Sequence, residues 1–327
     1  MNNKCPVCES NNIKKFNLYH VFFFKENYHS VCLNCTMVFY QPKKKILYFD
    51  GKYRKSKNNI IQNHFFNPWS IISYLRHDNV YQQVAKSKKK INTWLDYGGY
   101  NGALLTAIKN KNKKIKTFLA DLDPQGLKIA HFLNHKIINL KKKKISSKYD
   151  VITLVQVLEH IKKPLELLNS LEKNLNKNGL IYLEVPNAFN FPMSDFSHVN
   201  EFNENSLKTL IKKSNFVLFK FGFTMTNNYA HKLDYFYNKK KENLFVILKK
   251  NKVKNEIKIK KINIKFFLLR IYIGQNLILL STANNYAQIA MKSIWHSTRF
   301  FLLTVLAFAK TLVQIFNSNF PFIRKKI

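Results

Sequence analysis

Between residues 91 and 250 short apolar runs alternate with amphipathic stretches, the rhythm of a parallel α/β sheet flanked by helices. The pattern predicts strands at Asn92–Leu95, Lys116–Ala120, Lys136–Asn139 and Tyr149–Val155, the last nearly all apolar, as a strand buried on both faces must be. A fifth strand follows at Leu180–Val185, and Phe216–Phe223 and Leu244–Lys249 complete a set of seven. Helices are expected at Ala103–Lys109, Pro124–Asn134, Pro164–Asn176 and Asn205–Ser214, with Asn178-Gly179 as the C-cap pair of the third. Seven strands in this order suit a doubly wound α/β sheet closed by a hairpin. The chain then divides into 1–45, which holds every cysteine, 46–90 with a helix from about Pro68 to Lys88, the α/β domain at 91–250, and a basic and apolar helical tail at 251–327. No internal repeat of 20–50 residues is present.

Composition changes this picture in one respect. The net charge of +37 points to a polyanionic partner, nucleic acid or an anionic membrane. Yet only five of the 55 basic residues are Arg (Arg54, Arg76, Arg270, Arg299, Arg324). Arg is the side chain that grips phosphate in a bidentate way, so a chain that relies on Lys argues against nucleic acid as a partner. Asn, Ile and Phe are also abundant, the mixture an AT-rich coding sequence yields. The opening MNNKCPVC lacks a charged region followed by an apolar run, so a cytoplasmic protein with reduced thiols is expected.

The cysteines form two C-x2-C pairs, Cys5/Cys8 and Cys32/Cys35, with 23 residues between them. Each pair fits a tight turn with both thiolates aimed at one ion, and two such turns complete a closed tetrahedral Zn2+ site. A disulfide framework conflicts with a reducing compartment, and a redox C-x-x-C would not occur twice. His20 and His29 are not needed as ligands. Phe16–Phe24 is placed to form the hairpin of a ribbon between the pairs.

Where the first strand meets the first helix, the chain reads Asp96-Tyr97-Gly98-Gly99-Tyr100-Asn101-Gly102. Gly98 and Gly102 let backbone approach a ligand, and the helix N-terminus behind them offers free amides. A pyrophosphate site would need G-x-G-x-x-G, whose second Gly is here Tyr100, so the D-x-G-x-x-x-G form suits a nucleoside with an amino-acid tail. Asp96 is placed to hold the tail's ammonium. Asp121, 25 residues on at the end of the second strand, is placed to accept two ribose hydroxyls, with Asp123 as the alternative. Either acid also fits as the N-cap before Pro124.

With these residues in view, LDYGGYNGALL resembles motif I of class I S-adenosylmethionine-dependent methyltransferases. FLADLDP resembles their acidic strand end, YDVITLVQVLEHIKKP their fourth-strand motif and GLIYLEVPN their fifth strand. CPVC…CLNCTMVF followed by FDGKYR is similar to the zinc ribbon that precedes many such enzymes in sugar and cell-surface polysaccharide pathways. The resemblance covers about residues 1–225 and implies a seven-stranded Rossmann-like methyltransferase sheet behind a small N-terminal zinc ribbon. It implies S-adenosyl-L-methionine contacts from Asp96, Gly98 and Gly102, Asp121 on the ribose, and Gln156 beside the methionine portion. Tyr100 departs from the family, where Gly is usual, and Asn139 stands where an adenine-reading Asp is common.

Methyl transfer from a sulfonium is an in-line displacement that needs alignment and, for many acceptors, a base. His160, in VLEHIKKP, and His198, in DFSHVNEF, are the candidates. His198 resembles the catalytic His of sugar C-methyltransferases, which follows a Glu; here Ser197 stands in that place. Their plainer roles are a hydrogen bond that orders the turn and a loop His. Glu184-Val185-Pro186-Asn187 lacks the Asn/Asp-Pro-Pro-aromatic loop by which base-amine methyltransferases resemble one another. The expected activity is therefore methyl transfer to a small-molecule or glycan acceptor, a sugar nucleotide or polysaccharide precursor, with C- or O-methylation open. The competing readings are an RNA-binding or RNA-methylating protein and a degenerate scaffold. In the tail, 262–282 and 299–316 are apolar with basic flanks. They suit a helix on an anionic bilayer at the inner membrane face, or one packed on the domain or on a second subunit.

Overall fold

The computed structural model describes residues 4–20, 25–40, 68–189, 198–224, 243–250, 256–259, 262–264 and 267–268. In chain order the strands are β1 (Ile13–His20), β2 (Lys25–Cys32), β3 (Val38–Tyr40), β4 (Thr93–Tyr97), β5 (Lys116–Asp121), β6 (Lys136–Asn139), β7 (Tyr149–Val155), β8 (Leu175–Pro186), β9 (Asn200–Glu201), β10 (Phe216–Thr224) and β11 (Asn243–Lys250). The α-helices are α1 (Pro68–Ser87), α2 (Ala103–Lys111), α3 (Pro124–Phe132), α4 (Pro164–Ser170) and α5 (Glu204–Lys213).

Seven strands form one sheet in the order β10-β11-β8-β7-β4-β5-β6. The strands from β8 to β6 run parallel, and β11 is antiparallel to both β8 and β10. Alternation along the central strands sends neighbours to opposite faces. Trp94, Val151 and Tyr182 pack with Val80 and Val84 of α1, Leu104 and Ile108 of α2, and Leu127 of α3. Leu95, Ile152 and Leu183 pack with Leu168 of α4, Leu207 and Leu210 of α5, and the buried cysteines. Because the order reverses between β4 and β7, the crevice at their carboxyl ends is the natural ligand position of such a sheet.

Local chemistry fixes the helix starts. Asp123 caps α3, accepting from Gln125 N–H at 2.8 Å and Gly126 N–H at 3.4 Å ahead of Pro124. Asn203 caps α5 in a reciprocal box with Ser206. The expected helix at Pro164–Asn176 is a correction: α4 stops at Ser170, a 3-10 turn covers Glu172–Asn174, and β8 begins at Leu175. Asn174 donates to the carbonyls of Ile145 and Ser147, both at 3.0 Å, which draws the chain into the sheet early. Asn178-Gly179 therefore lies in β8, where the register with β7 is irregular and a Cβ on Gly179 would stand 3.0 Å from the Tyr149 carbonyl.

A second sheet has the order β1-β2-β3-β9. Its hairpin runs from Ile13 to Cys32, longer than the Phe16–Phe24 span expected from sequence; residues 21–24 lie outside the described residues. Its fourth strand comes from far along the chain, Val38 pairing with Glu201 and Phe39 with Asn200. Phe267, from the start of the tail, is buried against Val31, Val38 and Ala188. The rest of the expected tail, beyond 268, lies outside the described residues. Among the described residues no helix is long and apolar enough to cross a membrane.

Candidate active site

The cleft at the carboxyl ends of β4, β5 and β7 is lined by Tyr97, Gly98, Tyr100, Asp121, Leu122, Asp123, Leu140, Gln156, Val157, His160 and Ile161. Its floor is the turn after β4. Gly98 has φ +74, and a Cβ there would stand 2.7 Å from Val157, so only Gly lets β4 and the turn after β7 close up. Tyr100 also has positive φ, +50, a conformation that costs a non-Gly residue about 1 kcal/mol. Two contacts hold it there. Its N–H donates to Asp121 Oδ2 at 2.8 Å, and its ring and carbonyl lie against Gly126, where a Cβ would come within 2.6 Å.

Asp121 thus joins two loops. Oδ2 accepts from Tyr100 and Oδ1 accepts from Asp123 N–H at 2.8 Å. Each carboxylate oxygen accepts a second hydrogen bond, so the group keeps one acceptor per oxygen for a pair of hydroxyls. Gln156, with φ +57, is anchored through its N–H to the Glu184 carbonyl at 2.9 Å and reaches Asn243 Oδ1 at 3.4 Å.

Two other predicted residues stand behind the cleft. Asp96 is buried under the turn, accepting from Thr153 Oγ1 at 2.7 Å, and a Cβ on Gly99 would overlap its carboxylate. Burial raises its pKa to about 7, against the pull of the Thr153 hydroxyl and with the help of Asp121. Gly102, φ +78, starts α2 and lies against His135, whose ring bonds Thr106 and Thr117 at 3.0 and 2.9 Å. Asn139 caps its own turn by accepting from Lys141 N–H at 3.0 Å; the neighbouring Leu140 lines the cleft.

The far wall brings the two candidate bases together. His160, from the 3-10 turn Leu158–His160, and the buried His198 meet edge to face with ring centroids 4.8 Å apart. Ser197 lies outside the described residues, but Glu201 supplies an acid three residues on, its Oε1 3.7 Å from His198 Nδ1. Sequence reasoning missed Glu201 in this role. It also missed the ion pair in which Arg76 Nε and Nη2 donate to Glu184 Oε1 at 2.8 and 2.6 Å, with Tyr182 Oη donating to Oε2 at 2.8 Å. That pair ties α1 to the carboxyl end of β8.

In the core shared with α5 the four cysteine sulfurs converge. Cys5 Sγ is 3.5 Å from Cys35 Sγ and Cys8 Sγ is 3.3 Å from Cys32 Sγ, and all four lie within 4.8 Å of one another without a disulfide. Tetrahedral Zn–S bonds of about 2.3 Å place sulfurs about 3.8 Å apart, so the donor set fits one such ion. The S–H groups of Cys35, Cys5 and Cys8 hold Cys32 well below its ordinary value, while contact with Cys32 pushes Cys5 and Cys35 up. The cluster thus favours a thiolate on Cys32, and full ionisation calls for a cation.

Residues 70–220 match the family described as a methyltransferase domain. The chain is an S-adenosylmethionine-dependent methyltransferase. No curated protein matches it in sequence. Among solved structures it is similar to the plantazolicin methyltransferase BpumL bound to SAH, at 18% identity, over 58% of this chain and 93% of that one, with a TM-score of 0.43. It is also similar to the mitomycin 7-O-methyltransferase MmcR (13% identity, 58% and 60% covered, TM-score 0.43). A Clostridium acetobutylicum S-adenosylmethionine-dependent methyltransferase is a third (11% identity, 62% and 96% covered, TM-score 0.42). Similarity at this level says nothing about the acceptor.

Proposed function

We propose that this enzyme methylates a sugar nucleotide or a cell-surface polysaccharide precursor, with His198 as the base. The observation that carries the reading is the joining of the cysteine lobe to the acceptor side of the cleft. The lobe's cysteine motif resembles the ribbons of sugar-pathway methyltransferases, and its fourth strand, β9, closely follows His198. When bound, S-adenosylmethionine supplies an electrophilic methyl group on sulfur. Asp121 accepts the two ribose hydroxyls through its remaining lone pairs, and the Gly98 turn gives the methionine portion a path free of side chains. Asp96 sits close behind that turn, where its charge favours the ammonium. Gln156 borders the same portion. Tyr97, Leu122, Leu140 and Val157 give the adenine an apolar bed. The four cysteines hold a structural Zn2+, closed to chemistry because no ligand position is left open. His198, with Glu201 beside it, removes the acceptor's proton, and His160, edge to face with it, lines the cleft. The apolar segments 262–282 and 299–316 with their basic flanks support contact with an anionic membrane surface.

The test is incubation of the full-length protein with methyl-labelled S-adenosylmethionine and a panel of nucleotide sugars, read by mass spectrometry of the products. A methylated sugar whose formation is lost in His198→Gln is expected. Label transferred to RNA and to no sugar would overturn the reading.

A further inference from the structure

The turn after β7 buries an acid that the steps above do not use. Glu159 is fully buried, and neither carboxylate oxygen has a hydrogen-bond partner among the described residues. Its own carbonyl accepts from Val199 N–H at 2.8 Å, and Asn200 Nδ2 bonds the carbonyls of Leu158 and Ile161. The turn and the segment around His198 are therefore one unit. Ligand atoms of Glu159, His160 and His198 all lie within 4.8 Å of one another.

An isolated buried carboxylate costs several kcal/mol or more, so it persists only if neutral or facing a cation. The charged groups around it can be counted. Arg76, from α1, is committed to Glu184 of β8. Glu201, from β9, adds a second acid beside His198. His160, on the same turn, and His198 are the imidazoles in reach. Glu159 therefore has the His198 ring as the group whose protonation compensates it.

We propose that Glu159 is a positioning residue for methyl transfer: its buried carboxyl group fixes the His198 ring beside the cleft-lining His160 and stabilises the imidazolium formed there. The proposal rests on His198 being the base. In the step, a lone pair or carbanion pair of the acceptor bonds to the methyl carbon, and the carbon–sulfur bond breaks with its pair going to sulfur. The acceptor's proton goes to a ring nitrogen of His198. Positive charge thus leaves the sulfur and arrives on the imidazole, against a carboxylate already in place. Burial raises the Glu159 pKa to about 7 while His198 beside it pulls it down, so the Glu159 carboxyl group is poised near neutrality. The orienting acid comes from the turn after β7, in place of the sequence neighbour that Ser197 occupies.

The test is an NMR pH titration of full-length protein labelled with 13C at histidine Cε1, the His198 signal being identified by its loss in His198→Gln. In Glu159→Gln the His198 pKa should fall by about one unit or more, a tenfold loss of basicity, with S-adenosylmethionine affinity within twofold of wild type. Glu159→Asp, which keeps the charge, should recover part of the shift and serves if the Gln variant does not fold. An unchanged His198 pKa in folded Glu159→Gln overturns the proposal, as does a value in Glu159→Asp no higher than that in Glu159→Gln. So does a second equivalent of divalent metal by elemental analysis, beyond that of the cysteines, lost in Glu159→Gln; the cluster would then be a cation site. Failure of the base reading looks different: the Glu159–His198 coupling persists, but His198→Gln keeps full turnover on the acceptor.

Discussion

Replacing Asp121 by Asn tests the cofactor half of the cleft most directly. In the native chain both carboxylate oxygens accept from backbone donors, Tyr100 N–H and Asp123 N–H, each at 2.8 Å. An amide offers one acceptor and one donor group, so its NH2 must face one of those N–H groups. The variant loses one charge-assisted bond, weakens the other and strands a nearly buried donor, together about 2–4 kcal/mol. At roughly 2–4 °C per kcal/mol for a domain of this size, the ligand-free protein should melt about 5–15 °C lower. On the proposed ribose contact one of its two accepting oxygens is lost as well, and a hydrogen bond to a charged group corresponds to roughly a 10- to 100-fold change in affinity. Differential scanning fluorimetry gives the first quantity and calorimetric titration with S-adenosylmethionine the second. Asp123→Ala is the control: it removes the α3 cap, costing about 1 kcal/mol, and leaves affinity unchanged. Lower stability with wild-type affinity in Asp121→Asn would leave Asp121 as a brace between loops and remove it from the ribose.

Gly99→Ala puts a Cβ into the Asp96 carboxylate; it should abolish the thermal shift given by S-adenosylmethionine, and a normal shift would show that the turn is free to move. Asp96 has a folded pKa of about 7 against the ordinary 3.8 of a free side chain, so the folded state holds its proton more tightly and the associated stability is present below about pH 4 and lost as pH rises to 7. Urea unfolding should therefore show Asp96→Asn gaining on the wild type across that window and running parallel above it; parallel curves throughout would refute the shift. Arg76→Met leaves Glu184 buried without its cation and should cost about 3–5 kcal/mol, much of it recovered in Arg76→Met/Glu184→Gln; additive losses in thermal unfolding would contradict the coupling. Cys8→Ser should lose bound zinc and speed hydrogen exchange at Tyr40 N–H, which bonds the Val199 carbonyl at 2.9 Å, while the thermal shift with S-adenosylmethionine persists.

The sheet was legible because its central strands are buried on both faces and its turns carry their own signals. β6 and β7 lie where the apolar runs predict, and Pro68, Ala103 and Pro124 open the helices expected from them. The one clear misplacement, the helix drawn through Asn176, comes from a contest that sequence does not display: Asn178-Gly179 is a good local C-cap, but Asn174 finds its partners at Ile145 and Ser147, nearly thirty residues earlier. The same distinction runs through the site. Gly98, Asp121, Gln156 and His160, read from local motifs, all line the cleft. Asp96 and Gly102 belong to the same motif yet serve behind it, because spacing gives the path of a turn and not the direction of each side chain. Arg76–Glu184 and Glu159–His198 join residues far apart in sequence, and single acids in apolar segments carry no mark of their partners.

The pairing of β3 with β9 is the extreme case, and it changes what the cysteine lobe is for. Two residues of strand leave no periodicity, and the partners lie more than 160 residues apart. Yet β9 follows closely on His198 and, among the described residues, has β3 alone beside it in the sheet. The second cysteine knuckle adds its own tie: Thr36, held at φ +59, donates to Asn203 Oδ1 at 3.0 Å, and Asn203 Nδ2 donates back to the Thr36 carbonyl at 2.6 Å. Asn203 is also the cap of α5. The segment that carries His198 and Glu201 is thus clamped from the knuckle on one side and from the Glu159 turn on the other. A structural ion needs no open ligand position to matter for catalysis in such an arrangement. Metal binding to thiolates contributes to folding free energy, and an ion held by the four cysteines would pass that contribution through two hydrogen bonds and a two-residue ladder to the segment that carries His198.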